Sequence, residues 1–267
     1  MQNSYESQYD EPAETRQFET FDNPESDMVT KQFFWKRPEK TETQVEVAER
    51  LEKLGVSDVN LEGVLDGWQE KLADSVEDMC EKYPELVGKI GKISSKKLPD
   101  GVFACAGPSM NAERGFSSDL QVSSDFFSKG NLEWKVVDLE KENMFGERWL
   151  AGQGVDGVVK HELGHLLHLQ MIANEEGLDI GEYDEAKFRQ VYERYAHNSI
   201  VCNMAVDSMH ELGISANDAG RELSAYGKRD FGEFFAEAIS ECESKKNPRP
   251  LALKVKEKYN QYMQERA

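Results

Sequence analysis

The stretch from Gly154 to Met171, GVDGVVKHELGHLLHLQM, constrains this chain more than any other. Val155, Val158 and Val159 on one side of its centre and Leu166, Leu167 and Leu169 on the other recur at helical spacing, so an apolar stripe can bury it as a helix. At that centre stand His161, Glu162 and His165, as H-E-x-x-H. Residues i and i+4 of a helix lie about 40° apart on one face and about 6 Å apart along the axis. Two imidazoles so placed can share one tetrahedral zinc ion, and Glu162 beside the first can reach the attacking water as general base. The plainer alternative is a core helix that carries two histidines by coincidence. With five histidines in 267 residues, the paired spacing favours the metal.

Two histidines do not close a catalytic zinc site, which usually takes three protein ligands and keeps one position open. His168 shares the helix face, but it sits about 4.5 Å further along the axis than His165. It is expected to be a neighbour that supports the ligands rather than a ligand. The metzincin pattern needs Gly at position 168 and His at position 171, where this chain has His168 and Met171, so that class is excluded. A thermolysin-like third ligand would fall near Glu182 or Glu185, within GEYDEAKFRQ, which reads instead as an ordinary solvated helix start.

Charge narrows the partners. With 51 acidic and 32 basic residues the formal net charge is −19, and the sequence pI is about 4.7. Nucleic acid and anionic membrane surfaces are poor partners for such a chain, and basic peptides or proteins are better ones. Cys80, Cys105, Cys202 and Cys242 are far apart with no C-x-x-C pair, which disfavours a cysteine metal site or a disulfide framework. No apolar run approaches transmembrane length, and the start, MQNSYESQYDEP, lacks the features of a signal peptide. The expectation is synthesis in a reducing cytoplasm. Virion association, or export without an N-terminal signal, stays open.

Residues 1–40 read as an acidic, disordered arm interrupted by Phe33, Phe34 and Trp35. Segment 41–60 reads as a helix and linker: Thr41 and Gln44 suit a capping box, Val45, Ala48, Leu51 and Leu54 form a stripe, and Gly55 suits its end. A helix follows over 61–83, in which Trp68 belongs to the core rather than to a substrate platform. GKIGKIS, GVFACAG and LQVSSDFF predict a small, mostly antiparallel sheet of about three strands, with the polar run from Pro108 to Ser118 as a linker. The last strand is expected to border the cleft. Residues 130–154 read as irregular, 185–197 and 198–212 as helices, and 246–267 as a helical tail. The fold class is therefore α+β and mainly helical, with a domain over 61–245.

The second informative stretch is SAYGKRDFGEFFAEAISEC, Ser224 to Cys242. Asp230 can cap a helix whose apolar face carries Phe234, Phe235, Ala238 and Ile239, while Glu233 and Glu237 share another face. Glu233 sits where a glutamate can close a capping box, and Glu237 can be a surface carboxylate. Either can also be the missing ligand, and spacing leaves the choice open.

HELGH followed by Y-G-x-x-x-x-x-E-F-F-A-E-A resembles the zinc peptidase domain of anthrax lethal factor and the related domains of bacterial toxins and phage head proteins. The resemblance spans about Leu61 to Cys242 and is strongest at these two motifs; the tail NPRPLALKVKEKYNQYM is similar to phage-associated relatives. It implies a zincin-like fold and a zinc endopeptidase with His161, His165 and Glu233 as ligands, Glu162 as base and Tyr226 pointing its hydroxyl at the developing oxyanion. Glu237 would orient a ligand histidine. Phage-head or toxin-delivery partners follow from the same resemblance, although no receptor-binding, portal-binding or capsid-binding portion is recognised. The alternative from another class is a non-catalytic head-associated protein that uses a zincin scaffold.

Overall fold

Thr41 starts the first helix as its sequence requires. A computed structural model describes residues 41–266. The Thr41 hydroxyl accepts from Gln44 N–H, and the Gln44 side chain accepts from Thr41 N–H, which caps α1 (Glu42–Lys53) reciprocally. Val47, Ala48 and Leu51 are buried, whereas Val45 of the expected stripe is 45% exposed. The arm 1–40, with Phe33, Phe34 and Trp35, lies outside the described residues.

β1 (Asp58–Asn60), α2 (Asp66–Lys82) and β2 (Lys92–Lys96) come next. α2 starts later than its apolar periodicity suggests, because Gly63 has φ +80° and Leu65 is extended. Trp68 is a core residue whose Nε1–H donates to Lys129 O at 3.0 Å. β3 (Ala104–Asn111) and β4 (Gly115–Ser123) form a hairpin. Helices complete the chain: α3 (Ser124–Phe127), α4 (Leu132–Leu139), α5 (Gly154–Glu176), α6 (Glu185–Ala196), α7 (Val201–Glu211), α8 (Ala219–Glu222), α9 (Phe231–Ser244) and α10 (Pro250–Gln264). Among the described residues no helix is long and apolar enough to cross a membrane. All four cysteines are free.

The class is α+β and mainly helical, as expected, but the sheet departs from expectation. It has four strands in the order β1-β2-β4-β3; β1–β2 and β2–β4 pair parallel, and only β3–β4 pairs antiparallel. β1 is Asp58-Val59-Asn60, too short for its single apolar residue to form an alternation. The polar run taken for a linker is the hairpin itself, reversed at Asn111, whose side chain accepts from Glu113 and Arg114 N–H. β4 returns between β2 and β3, so the edges are β1 and β3, and the edge beside the metal-motif helix is β3 and not the last strand. Ser123 N–H donates to Phe103 O, and by antiparallel alternation Ala104, Ala106, Pro108 and Met110 turn their backbone groups to that edge. Pro108 is tolerated there because its missing N–H costs no rung of the ladder.

α5 and α9 cross at the centre of the core. α5 is buried almost all round from Gly154 to Ala173. A Cβ at Gly164 would stand 3.0 Å from the Ala236 Cα, so the glycine sets how closely the two helices approach. Leu51 of α1 and Leu251, Val255 and Tyr259 of α10 join the same core. Segments 41–60 and 246–266 pack in the same compact unit as the rest of the described chain, the second as the helix α10. α4 forms inside the stretch read as irregular, being short and without a side-chain cap.

Buried charge along α5 is neutralised locally. Lys160 pairs with Asp78 at 2.7 Å and Asp156 at 2.9 Å, and donates to Glu243 O at 2.8 Å. The Glu243 carboxylate meets Lys82 at 3.0 Å and accepts from Tyr83 OH at 2.7 Å and from Lys256. Burial alone would raise its pKa, but the Lys256, Tyr83 and Lys82 donors outweigh that and hold it below the usual value. A depressed folded pKa contributes stability above the unfolded value, lost as pH falls through the folded one. Glu243→Gln should therefore cost on the order of 2 kcal/mol at neutral pH. The gap to wild type should close as pH drops below the carboxylate range, read by urea denaturation at stepped pH; a gap that persists in acid would contradict this.

Candidate metal centre

The close crossing of α5 and α9 brings three side chains to one point. His161 Nε2 and His165 Nε2 are 3.1 Å apart, and Glu233 Oε2 lies 3.0 Å from the first and 3.3 Å from the second. These three residues can hold a metal ion. Glu233 occupies the capping position, but only through its backbone: its N–H donates to Asp230 Oδ1 at 3.0 Å while its carboxylate swings to the imidazoles. Burial would raise the Glu233 pKa; hydrogen bonds from His161 and His165 overcome this and hold it well below the carboxylate range. Burial likewise disfavours charge on His161, yet Glu233 and Glu237 raise its pKa well above the ordinary imidazole value.

Glu237, on the next turn of α9, is fully buried. Its Oε1 lies 2.8 Å from His161 Nδ1, and its other oxygen accepts Ala151 N–H. The approach to Nδ1 is short but outside good hydrogen-bond geometry. A carboxylate on that side would hold the Nδ1 proton, so that Nε2 is the nitrogen left for a metal placed between Glu233 and His165. Glu162 is buried beside the pair, with its carboxylate facing the backbone of Ala106 at the edge of β3. Burial raises its pKa above the usual glutamate value, against the opposing pull of His161 and His165.

Tyr226 comes from the loop before α9. Ala225 N–H donates to Arg148 O at 2.8 Å and Tyr226 N–H to Trp149 O at 3.2 Å, so segment 148–149 holds the tyrosine like a short ladder. Its ring lies 5.7 Å from that of His161, on the side that faces the Glu233 carboxylate. Burial and that carboxylate both push the phenol pKa up.

His168 does not join the cluster. It is fully buried, its Nε2–H donates to Ser199 O at 2.9 Å, and Tyr195 packs 5.0 Å away, so it supports none of the three ligands. Burial pushes its pKa down to about 3, which keeps it neutral. Glu182 pairs with Lys187 and Glu185 accepts from Tyr183, so neither belongs to the centre. Sequence reasoning missed the backbone of Ala106, which carries no side-chain signal. It also missed a cavity of about 420 Å³ beside His161, Glu162 and Tyr226, walled by Phe103, Trp149 and Val158.

Comparison with family models, with curated proteins and with solved structures found no match to this chain.

Proposed function

We propose that the protein is a zinc-dependent endopeptidase of the anthrax lethal factor-like kind. The observation that carries this is the convergence of His161, His165 and Glu233 with Glu162 and Tyr226 at their flanks. Ligand atoms about 2.0–2.1 Å from a tetrahedral centre stand about 3.3 Å from one another, close to the separations among these three. Two imidazoles and one carboxylate suit zinc. When bound, zinc supplies Lewis acidity, lowering the pKa of water and polarising the scissile carbonyl.

The chain's own groups do the rest. Glu162 takes the proton of the attacking water and delivers it to the leaving amine, and its raised pKa brings it closer to working pH. Tyr226 donates its hydroxyl to the oxyanion, and Glu237 keeps His161 oriented. The free edge of β3 beside Glu162 offers backbone groups to an extended peptide. A scaffold protein would have no need of a buried base and a phenol aimed at the same point, which weighs against the head-associated alternative.

The test is digestion of a mixed peptide library by the full chain, read by mass spectrometry. Internal cleavage that a chelator stops and zinc restores is expected; a folded, zinc-loaded protein that cuts nothing would overturn the proposal. Tyr226→Phe should lower kcat by about 10²–10³-fold, the cost of one oxyanion donor. Its zinc content should stay at the wild-type level, and zinc loss with the hydroxyl would show that Tyr226 serves the ligands instead.

A further inference from the structure

The charge run Lys228-Arg229-Asp230 precedes α9, and two of its three charges are already engaged. Lys228 pairs with Glu147 at 2.9 Å, and Asp230 caps α9. Arg229 N–H donates to Tyr226 O at 3.0 Å, closing a turn that folds the guanidinium back over the Tyr226 ring, 5.0 Å from its centroid. Arg229 also lines the cavity beside His161 and Glu162. It has no ion-pair partner among the described residues, although the chain holds 51 acidic against 32 basic residues.

A guanidinium stacked on an aromatic ring keeps its N–H edge free, and that edge matches a carboxylate in a two-point fork. We infer that Arg229 is a specificity-determining residue that receives a carboxylate of the bound peptide, next to apolar walls that take a large apolar side chain. This rests on the peptidase reading for the identity of the ligand as a peptide. The Tyr226 ring links Arg229 to His161, so the carboxylate falls within about three residues of the scissile bond at about 3.3–3.6 Å per extended residue. It can be an Asp or Glu side chain or the C-terminus of the substrate. The net charge of −19 does not oppose this, because distant charges are screened over about 8–10 Å whereas Arg229 acts in contact.

The experiment uses dye-labelled hexapeptides of Ala, Leu and Phe in matched sets. One carries a Glu, one a Gln and one a Lys at the same positions, all with amidated ends, and a fourth has a free C-terminal carboxylate. Binding to zinc-loaded, full-length Glu162→Gln is measured by fluorescence anisotropy, beside the same protein carrying Arg229→Met. A carboxylate-bearing set should bind about tenfold tighter than the Gln set, and Arg229→Met should cut the gap to about twofold or less. Whichever set gains identifies side chain or chain end. No gap, a gap that survives Arg229→Met, or tightest binding of the Lys set overturns the inference. The same peptides are then offered to the protein with Glu162 intact. Arg229-dependent binding without any cleavage would leave the carboxylate site standing and remove the peptidase reading.

Discussion

Glu162→Gln is expected to leave the protein folded and metal-loaded while peptide hydrolysis falls by about 10²–10⁴-fold, the range for losing a general base. The amide keeps the volume of the side chain and an acceptor oxygen. What it cannot do is take a proton from water. Because burial disfavours charge at this position, the metal-free variant should also be at least as resistant to heat as wild type. Initial rates on a quenched peptide, zinc per chain and a melting curve check the three parts together. Rates within tenfold of wild type would take the base role away from Glu162, whatever the metal content.

Glu233→Ala should abolish stoichiometric metal binding. Among the described residues it removes the one carboxylate within 3.3 Å of both imidazoles and leaves two ring nitrogens to hold a divalent ion. The expectation by elemental mass spectrometry after dialysis is about one zinc per chain for wild type and about a tenth of that or less for the variant. Glu237→Gln should keep the metal but weaken it by about 10–100-fold, because it touches His161 from behind. Glu185→Ala, which removes only a partner of Tyr183, is the control and should bind as wild type does. Zinc lost with Glu185 and kept without Glu233 would reassign the third ligand. Zinc bound by wild type should also raise its melting temperature, since an ion that prefers the folded state stabilises it by mass action.

What could be read from the chain alone was whatever depends on short-range pattern. The α5 periodicity, the Thr41 box and the Asp230 cap are local matters of spacing and hydrogen-bond donors, and all three stand. The choice between Glu233 and Glu237 is different in kind. Both lie on one face of α9, and only the crossing with α5, set where Gly164 meets Ala236, decides which carboxylate reaches the centre. Strand order was hidden for the same reason. β1 gains its place from pairing with β2, and the polar residues of the β3–β4 hairpin look like a linker until they are paired. His168 shares the spacing of its neighbours yet is drawn off by the Ser199 carbonyl, a partner 31 positions away.

The rim of the sheet carries a consequence of its own. Of the outward positions of β3, Pro108 has no N–H to offer, while Ala104, Ala106 and Met110 turn theirs to the rim. A foreign strand laid against this rim would miss a donor in the middle of its ladder, at Pro108. An exposed edge normally invites another sheet to dock and grow. Here the gap at Pro108 breaks the row of donors, so the edge is open without being a continuous template for another sheet.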